Sequence, residues 1–273
     1  ILASRAKVGQ HIEGFYDVVA AVDKLGHLFD LPIENQDGLL TFAPGVAARV
    51  RVTNVCTRSA DSFLRNGFSL SLDRGDRAAI LCGGSAGSSP LMDILYGLRT
   101  PESGHVEIEH ADPRDLRPDI LREAVTLVRD VEIFEGTIAE NVHLSRPGVS
   151  MTDVRTALFE VGLLDDVLHL PEGLDTEVNA SGNMLTATQR LLLMLARAVA
   201  GKPRFMLIDG LLDPLADQQL RLTAEMLVSP SHNWTLLVAT NRGDVAALFP
   251  SVVDARDDDG ASRAESWAAP AAE

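Results

Sequence analysis

The segment Cys82-Gly83-Gly84-Ser85-Ala86-Gly87-Ser88-Ser89 lies between an apolar, strand-like run, Ala78-Ala79-Ile80-Leu81, and a helical run from Leu91 to Leu98. A glycine-rich turn feeding a helix from a strand constrains the fold more than any other part of this chain. It points to an α/β layer in which backbone N–H groups can curl around a phosphate at the helix N-terminus. Such a loop normally also carries a lysine that reaches the β and γ oxygens and a Ser/Thr hydroxyl that holds Mg²⁺. Here Ser88 stands at the lysine position and Ser89 keeps a hydroxyl. Pro90 is sterically tolerated in a first helical turn but removes one N–H from the cradle. Taken alone, the segment is equally an ordinary Gly/Ser-rich turn of an α/β domain.

The rest of the chain carries more. Asn54-Val55, Phe68-Ser69-Leu70 and Gly75-Asp76-Arg77 lead into the loop strand. Thr100-Pro101-Glu102-Ser103-Gly104-His105-Val106, Arg114-Asp115-Leu116 and Leu121-Arg122 follow it. Phe134-Glu135-Gly136-Thr137-Ile138-Ala139-Glu140-Asn141-Val142 comes next, and after it Leu170-Pro171-Glu172-Gly173-Leu174-Asp175-Thr176-Glu177-Val178. Gln189-Arg190 and Ala196-Arg197-Ala198 complete the series. In this order the segments resemble the ATP-binding domain of ABC exporters, from about residue 10 to about residue 258. The stretch 134–142 is the most specific, being close to "F-x-G-T-I-x-E-N-I". The resemblance implies an α/β P-loop NTPase core of ABC ATPase type, with an antiparallel β-subdomain, a helical subdomain and an N-terminal connector helix. It also implies ATP and Mg²⁺ as ligands.

Carried over position by position, the functional residues depart from the scaffold. The position of the adenine-stacking aromatic falls on Ser59, so a π surface worth about 1 kcal/mol is missing. The Q-loop glutamine aligns with Arg129, a fixed cation that repels a metal. In the signature segment Leu185-Thr186-Ala187-Thr188-Gln189, Ala187 and Thr188 replace the glycines that let backbone approach a γ-phosphate. The strand Arg204-Phe205-Met206-Leu207-Ile208-Asp209 keeps its metal-facing Asp209. Gly210 stands where the general base should follow, and Asn241 stands at the switch histidine; neither accepts a proton from water near neutral pH. The residues left to face a nucleotide are therefore Ser59, Ser85, Gly87, Ser88, Ser89, Pro90, Arg129 and Asp209, with Ser89 and Asp209 for a weakly held Mg²⁺.

Each lost charge-assisted contact costs about 1.5–3 kcal/mol, so losing the lysine, the ring and one N–H moves a micromolar site toward millimolar or beyond. Hydrolysis needs more than binding, because phosphoryl transfer depends on positioned charge. The expectation is an ATPase fold that is catalytically inactive, with ATP binding weak or absent and a structural or regulatory role. The alternative reading is an active, ATP-driven transport ATPase with atypical motifs.

Composition agrees. A 46% hydrophobic content with only 5% aromatic suits a Leu/Val/Ala core. The net charge of −15 argues against nucleic acid as a partner. The two cysteines, Cys56 and Cys82, fit no metal spacing, and the seven histidines contain no i,i+4 pair. No apolar run approaches the roughly 18 residues of a membrane span, so this stretch by itself is expected to be soluble, at the cytoplasmic face of a membrane.

Helical spacing of Ile12, Phe15, Val18, Val22, Leu25 and Phe29 predicts an amphipathic helix over 8–30. With a linker from Pro32 to Gly38, residues 1–36 are expected to connect to a membrane domain. Residues 37–258 form the nucleotide domain, with its helical subdomain at about 139–184. The acidic, Ala-rich tail at 259–273 is expected to be disordered. The chain begins at Ile1, which suggests a piece of something longer. Implied partners are a fused or associated six-helix membrane domain and a second ABC nucleotide domain, as a homo- or heterodimer.

Overall fold

The computed structural model describes residues 2–30, 42, 45–57, 63–83, 87–182 and 184–256, with the side chains of 2–14 and of Leu28 left aside. Ser59, Ser85, the linker around Pro32–Gly38 and the tail from 257 lie outside the described residues. The chain divides into two units, 1–36 and 37–273. The first is helix α1, Leu2–Phe29, which starts earlier than its apolar spacing indicates. Its residues Phe15, Tyr16, Val18, Val22, Leu25 and Phe29 are exposed.

The second unit begins with β1 (Val50–Cys56), β2 (Phe68–Leu72), β3 (Arg77–Leu81), α2 (Ser89–Leu95) and β4 (Ser103–Ile108). There follow α3 (Pro118–Ala124), β5 (Val125–Val128), β6 (Gly136–Thr137), α4 (Ile138–His143), α5 (Met151–Glu160), α6 (Leu164–Leu168) and β7 (Glu177–Val178). The chain then forms α7 (Ala187–Ala200), β8 (Phe205–Asp209), α8 (Asp217–Val228), β9 (Thr235–Thr240), α9 (Gly243–Ala246) and β10 (Ser251–Asp254).

Two strand patterns give two sheets. In β2 burial alternates, with Phe68, Leu70 and Leu72 turned inward, as a half-solvated antiparallel strand requires. It pairs with β1, which pairs in turn with β4, in the order β2-β1-β4. By contrast β3, β8 and β9 are buried at every position and sit inside a five-stranded sheet, β10-β3-β9-β8-β5, whose pairings are all parallel. Continuous apolar runs such as Ala78–Leu81 and Met206–Ile208 are what a sheet covered on both faces demands. One core lies between the two sheets around Phe68, Ile80, Leu91, Ile108 and Leu207. The other joins the central sheet to α4, α5 and α7 through Val142, Leu158, Leu193, Leu195 and Ile208.

Because the central strands run parallel, the C-terminal ends of β3, β5, β8 and β9 share one edge, where open α/β sheets place their ligand crevice. That edge collects the loop after β3, Arg129 after β5, Asp209 at the end of β8 and Asn241 after β9. The helix expected from Leu91 to Leu98 instead ends at Leu95, because Gly97 at φ +79 turns the chain out of the helix.

Candidate functional site

Asp209 ends β8 with a side chain only 6% exposed, and an ionised carboxylate at that depth needs partners. It has several. Ser88 Oγ donates to Oδ1 at 2.6 Å, and Ser89 Oγ donates to Oδ2 at 2.9 Å. Arg129 Nε donates to the same Oδ2 at 2.7 Å. The Arg129 fork reaches further: Nη2 donates to Asp93 Oδ1 at 2.9 Å and to the Ser89 carbonyl at 3.3 Å. Burial is the largest influence on this guanidinium and pulls its pKa down, but the bonds and charges of Asp93 and Asp209 outweigh it and raise the pKa above the ordinary value. Arg129 is a permanent cation here.

Local sequence explains the arrangement. Ser88 caps α2 without a side-chain cap bond, so its hydroxyl is turned to Asp209 while its carbonyl accepts from Leu91 and Met92 N–H at 3.0 and 3.1 Å. Pro90 sits in the first turn and is buried, where a missing N–H costs the helix nothing. Gly87 is buried beside it. Asp93 is one helical turn beyond Ser89 and so faces the same way.

Across the cleft, Gly210 adopts φ +69, with its N–H donating to the Ala239 carbonyl at 3.0 Å. Asp213 accepts from the Thr240 hydroxyl and, at Oδ2, from the Asn241 N–H at 3.1 Å. Arg242 Nη1 ties the same turn by donating to the Asp213 carbonyl at 2.6 Å. The cleft has a volume of about 490 Å³, and its walls include Ser88, Ser89, Arg129, Asp209, Gly210 and Asn241.

Thr186, Ala187, Thr188 and Gln189 do not line that cleft. They start α7 as a capping box: Thr186 Oγ1 accepts from Gln189 N–H at 3.2 Å, and Gln189 Oε1 accepts from Thr186 N–H at 2.9 Å. The Gln189 amide also donates to Asp166 Oδ2 at 2.9 Å. Thr186, Ala187 and Thr188 are exposed.

A family model for the ABC transporter matches residues 65–212, more than half of the chain. The chain belongs to the ABC transporter family. Among its relatives, an ATP-dependent lipid A-core flippase of Neisseria meningitidis is 29% identical over 81% of this chain and 36% of the relative. The alpha-hemolysin translocation ATP-binding protein HlyB of Escherichia coli O157:H7 is 25% identical over 89% of this chain and 35% of the relative. The structure of a bacterial Atm1-family ABC exporter with ATP bound shares the fold, with a TM-score of 0.76 at 24% identity over 88% of this chain and 42% of that one. The fold is that of an ABC exporter nucleotide-binding domain. The chain spans about a third of the length of the curated relatives it matches.

Within this ABC domain, sequence reasoning placed Ser88, Ser89, Arg129 and Asp209 in one site, and they meet there. It treated Arg129 only as repelling a metal, whereas the guanidinium is bonded to the Asp209 carboxylate itself. Asp93 and Asp213 were missed. The i,i+4 spacing from Ser89 could have flagged Asp93, while nothing local marks Asp213.

Proposed function

We propose that the chain is the nucleotide-binding-domain half of an ABC-type exporter and that it has lost ATP hydrolysis, serving a structural or regulatory role. One observation carries the reading: Arg129 and the hydroxyls of Ser88 and Ser89 engage both oxygens of Asp209. Mg²⁺ takes a near-octahedral set of oxygens at about 2.0–2.1 Å. A carboxylate already holding a guanidinium at 2.7 Å does not fit one. ATP and Mg²⁺ are the family's ligands, and here their binding is weak or absent. Gly210 and Asn241 supply no base at the two positions where the family carries one. In the whole protein, residues 1–36 connect to a six-helix membrane domain at the cytoplasmic face. Residues 37–258 face a second nucleotide domain.

The second reading, an active transport ATPase with atypical motifs, is favoured by the retained Asp209 and the open 490 Å³ cleft. Turnover of Mg-ATP separates the two. The unaltered chain should hydrolyse ATP at background only; Mg-dependent turnover abolished by Asp209→Ala overturns the proposal. Ser88→Lys with Gly210→Glu should not restore activity, because Arg129 and Asn241 remain and such groups act as a unit. A side chain at residue 210 must also take φ +69, at a cost of roughly 1–2 kcal/mol. Substantial recovery in the double variant would show that the lysine and base alone were lacking.

A further inference from the structure

We propose that Arg129 is a built-in replacement for the metal ion. On this proposal it ties the end of β8, the first two turns of α2 and the segment after β5 together at all times, a tie that a metal makes only while bound. The inference rests on the noncatalytic reading above and gives it a mechanism.

Three features support it. The first is position: Nε lies 2.7 Å from Asp209 Oδ2, the oxygen that also accepts from Ser89 Oγ at 2.9 Å. The guanidinium thus shares one oxygen of the carboxylate with the hydroxyl, the pair that the family's metal would bridge. The second is reach. Nη2 bonds Asp93, 36 residues away in sequence, while Nε bonds Asp209, 80 residues away. The planar, rigid fork spans the two carboxylates through separate nitrogens, which the single nitrogen of an ammonium does not reproduce. The third is chemical. Without the guanidinium, Asp209 and Asp93 with the hydroxyls of Ser88 and Ser89 form an oxygen-only group, the donor set of a hard divalent cation. The same residues would then need such a cation to offset two carboxylates, of which Asp209 is 6% and Asp93 20% exposed. Removing Arg129 should therefore do two things at once: loosen the fold, and create a metal dependence that the unaltered chain lacks.

The experiment uses the full 273-residue chain with Mn²⁺ alone as the probe, followed by electron paramagnetic resonance and by thermal unfolding in EDTA and in Mn²⁺. The unaltered chain should bind no Mn²⁺ at millimolar concentration and unfold at the same temperature in both media. Arg129→Gln should lose about 5 °C or more in EDTA, bind Mn²⁺, and regain most of the loss when it does. Arg129→Gln with Asp209→Asn should regain none. Unchanged Tm of Arg129→Gln in EDTA, or Mn²⁺ binding by the unaltered chain as tight as by Arg129→Gln, overturns the proposal. If Arg129→Gln does not fold in EDTA, refolding in Mn²⁺ supports it. If it folds in neither medium, Arg129→Lys decides. That variant keeps the charge and loses the bridge, so a lowered Tm without Mn²⁺ binding supports the inference, and an unaltered Tm sinks it. ATP turnover by the unaltered chain would break the noncatalytic reading and leave these melting differences untouched, so the two failures are distinguishable.

Discussion

Asn141 and Asp209 are both sunk polar side chains that gather loops around themselves, and they differ in what their neighbours leave available. Asn141, 1% exposed, accepts at Oδ1 from Phe134 N–H at 2.9 Å and from Arg197 Nη2 at 3.1 Å. Its amide donates to the carbonyls of Phe134 and Thr137 at 2.9 and 3.0 Å. That hub folds the 134–137 segment back onto α4, and every residue in it matches the family pattern. Around Asp209 the pattern is broken at Ser88, Arg129 and Gly210, yet its hydrogen bonds are as complete. Polar satisfaction, which folding demands of any buried group, is met at both hubs. Vacancy for a ligand is a separate demand, and on the proposal above the side chains around Asp209 fill it.

The sharpest test of that contrast is chemical access beside the Asp209 hub. Cys82 follows β3 close to Ser88, and burial, only partly opposed by the Ser88 hydroxyl, pushes its thiol up to about 12 from the ordinary 9.0. A three-unit rise leaves roughly 10³-fold less thiolate at pH 8 than an ordinary cysteine carries. In the folded chain, iodoacetamide should therefore label the buried Cys82 more than about a hundredfold more slowly than the half-buried Cys56, because burial lowers both its thiolate fraction and its access, with both labelled in denaturant. Equal rates would mean that this region opens readily and that the hub is no closed structure.

Asn141→Ala gives the next largest effect. It takes a side-chain partner from the Phe134 N–H and from two carbonyls and removes one partner of Arg197. Denaturant titration should show about 3 kcal/mol lost, roughly a hundredfold in the folding equilibrium. A loss under about 0.5 kcal/mol would mean that water replaces the amide, and the parallel between the hubs would fail.

Much of this was legible in the sequence because it is local. The apolar runs within β3, β8 and β9 announce a doubly covered parallel sheet, and Phe134–Val142 carries the family resemblance while leaving the Asn141 hydrogen bonds unread. The fourth central pairing was harder: β10 offers only Val252 and Val253, and its place beside β3 comes from register rather than pattern. The Asp209 hub was half legible. Aligned motifs named Ser88, Ser89, Arg129 and Asp209, but a bond between side chains 80 residues apart is set by the sheet that brings them together. The segment from Thr186 to Gln189, with Ala187 and Thr188 in place of glycines, was weighed as a damaged phosphate contact. Their own spacing, Thr followed three residues later by Gln before an apolar run, is a helix-start signal that explains what they do.

The smallest effect comes from a third hub, which separates filling a ligand's place from ordinary surface pairing. Glu109 follows β4 and accepts from Arg74 Nη2 at 2.6 Å, Arg74 Nε at 3.0 Å and the Arg49 N–H at 2.6 Å. The Arg74 hydrogen bonds, against burial and with help from the Arg49 N–H, hold its carboxyl at about 2 rather than 4.5. A lowered carboxylate pKa means that the unfolded chain binds the proton first as pH falls. The stability Glu109 contributes is complete above about pH 4.5 and is lost on the way down to about pH 2. Glu109→Gln should flatten that part of the stability-against-pH curve. At neutral pH it should change the folding equilibrium less than tenfold: Glu109 is 11% exposed, but the Arg74 side chain it pairs with is 53% exposed and screened by water and salt, and Gln keeps an oxygen that accepts from it. If the variant instead loses as much as Asn141→Ala, a charge paired with an exposed partner matters as much as a buried amide. Burial would then not be what distinguishes the hubs, and the Arg129 bridge would have to be judged by its charge alone.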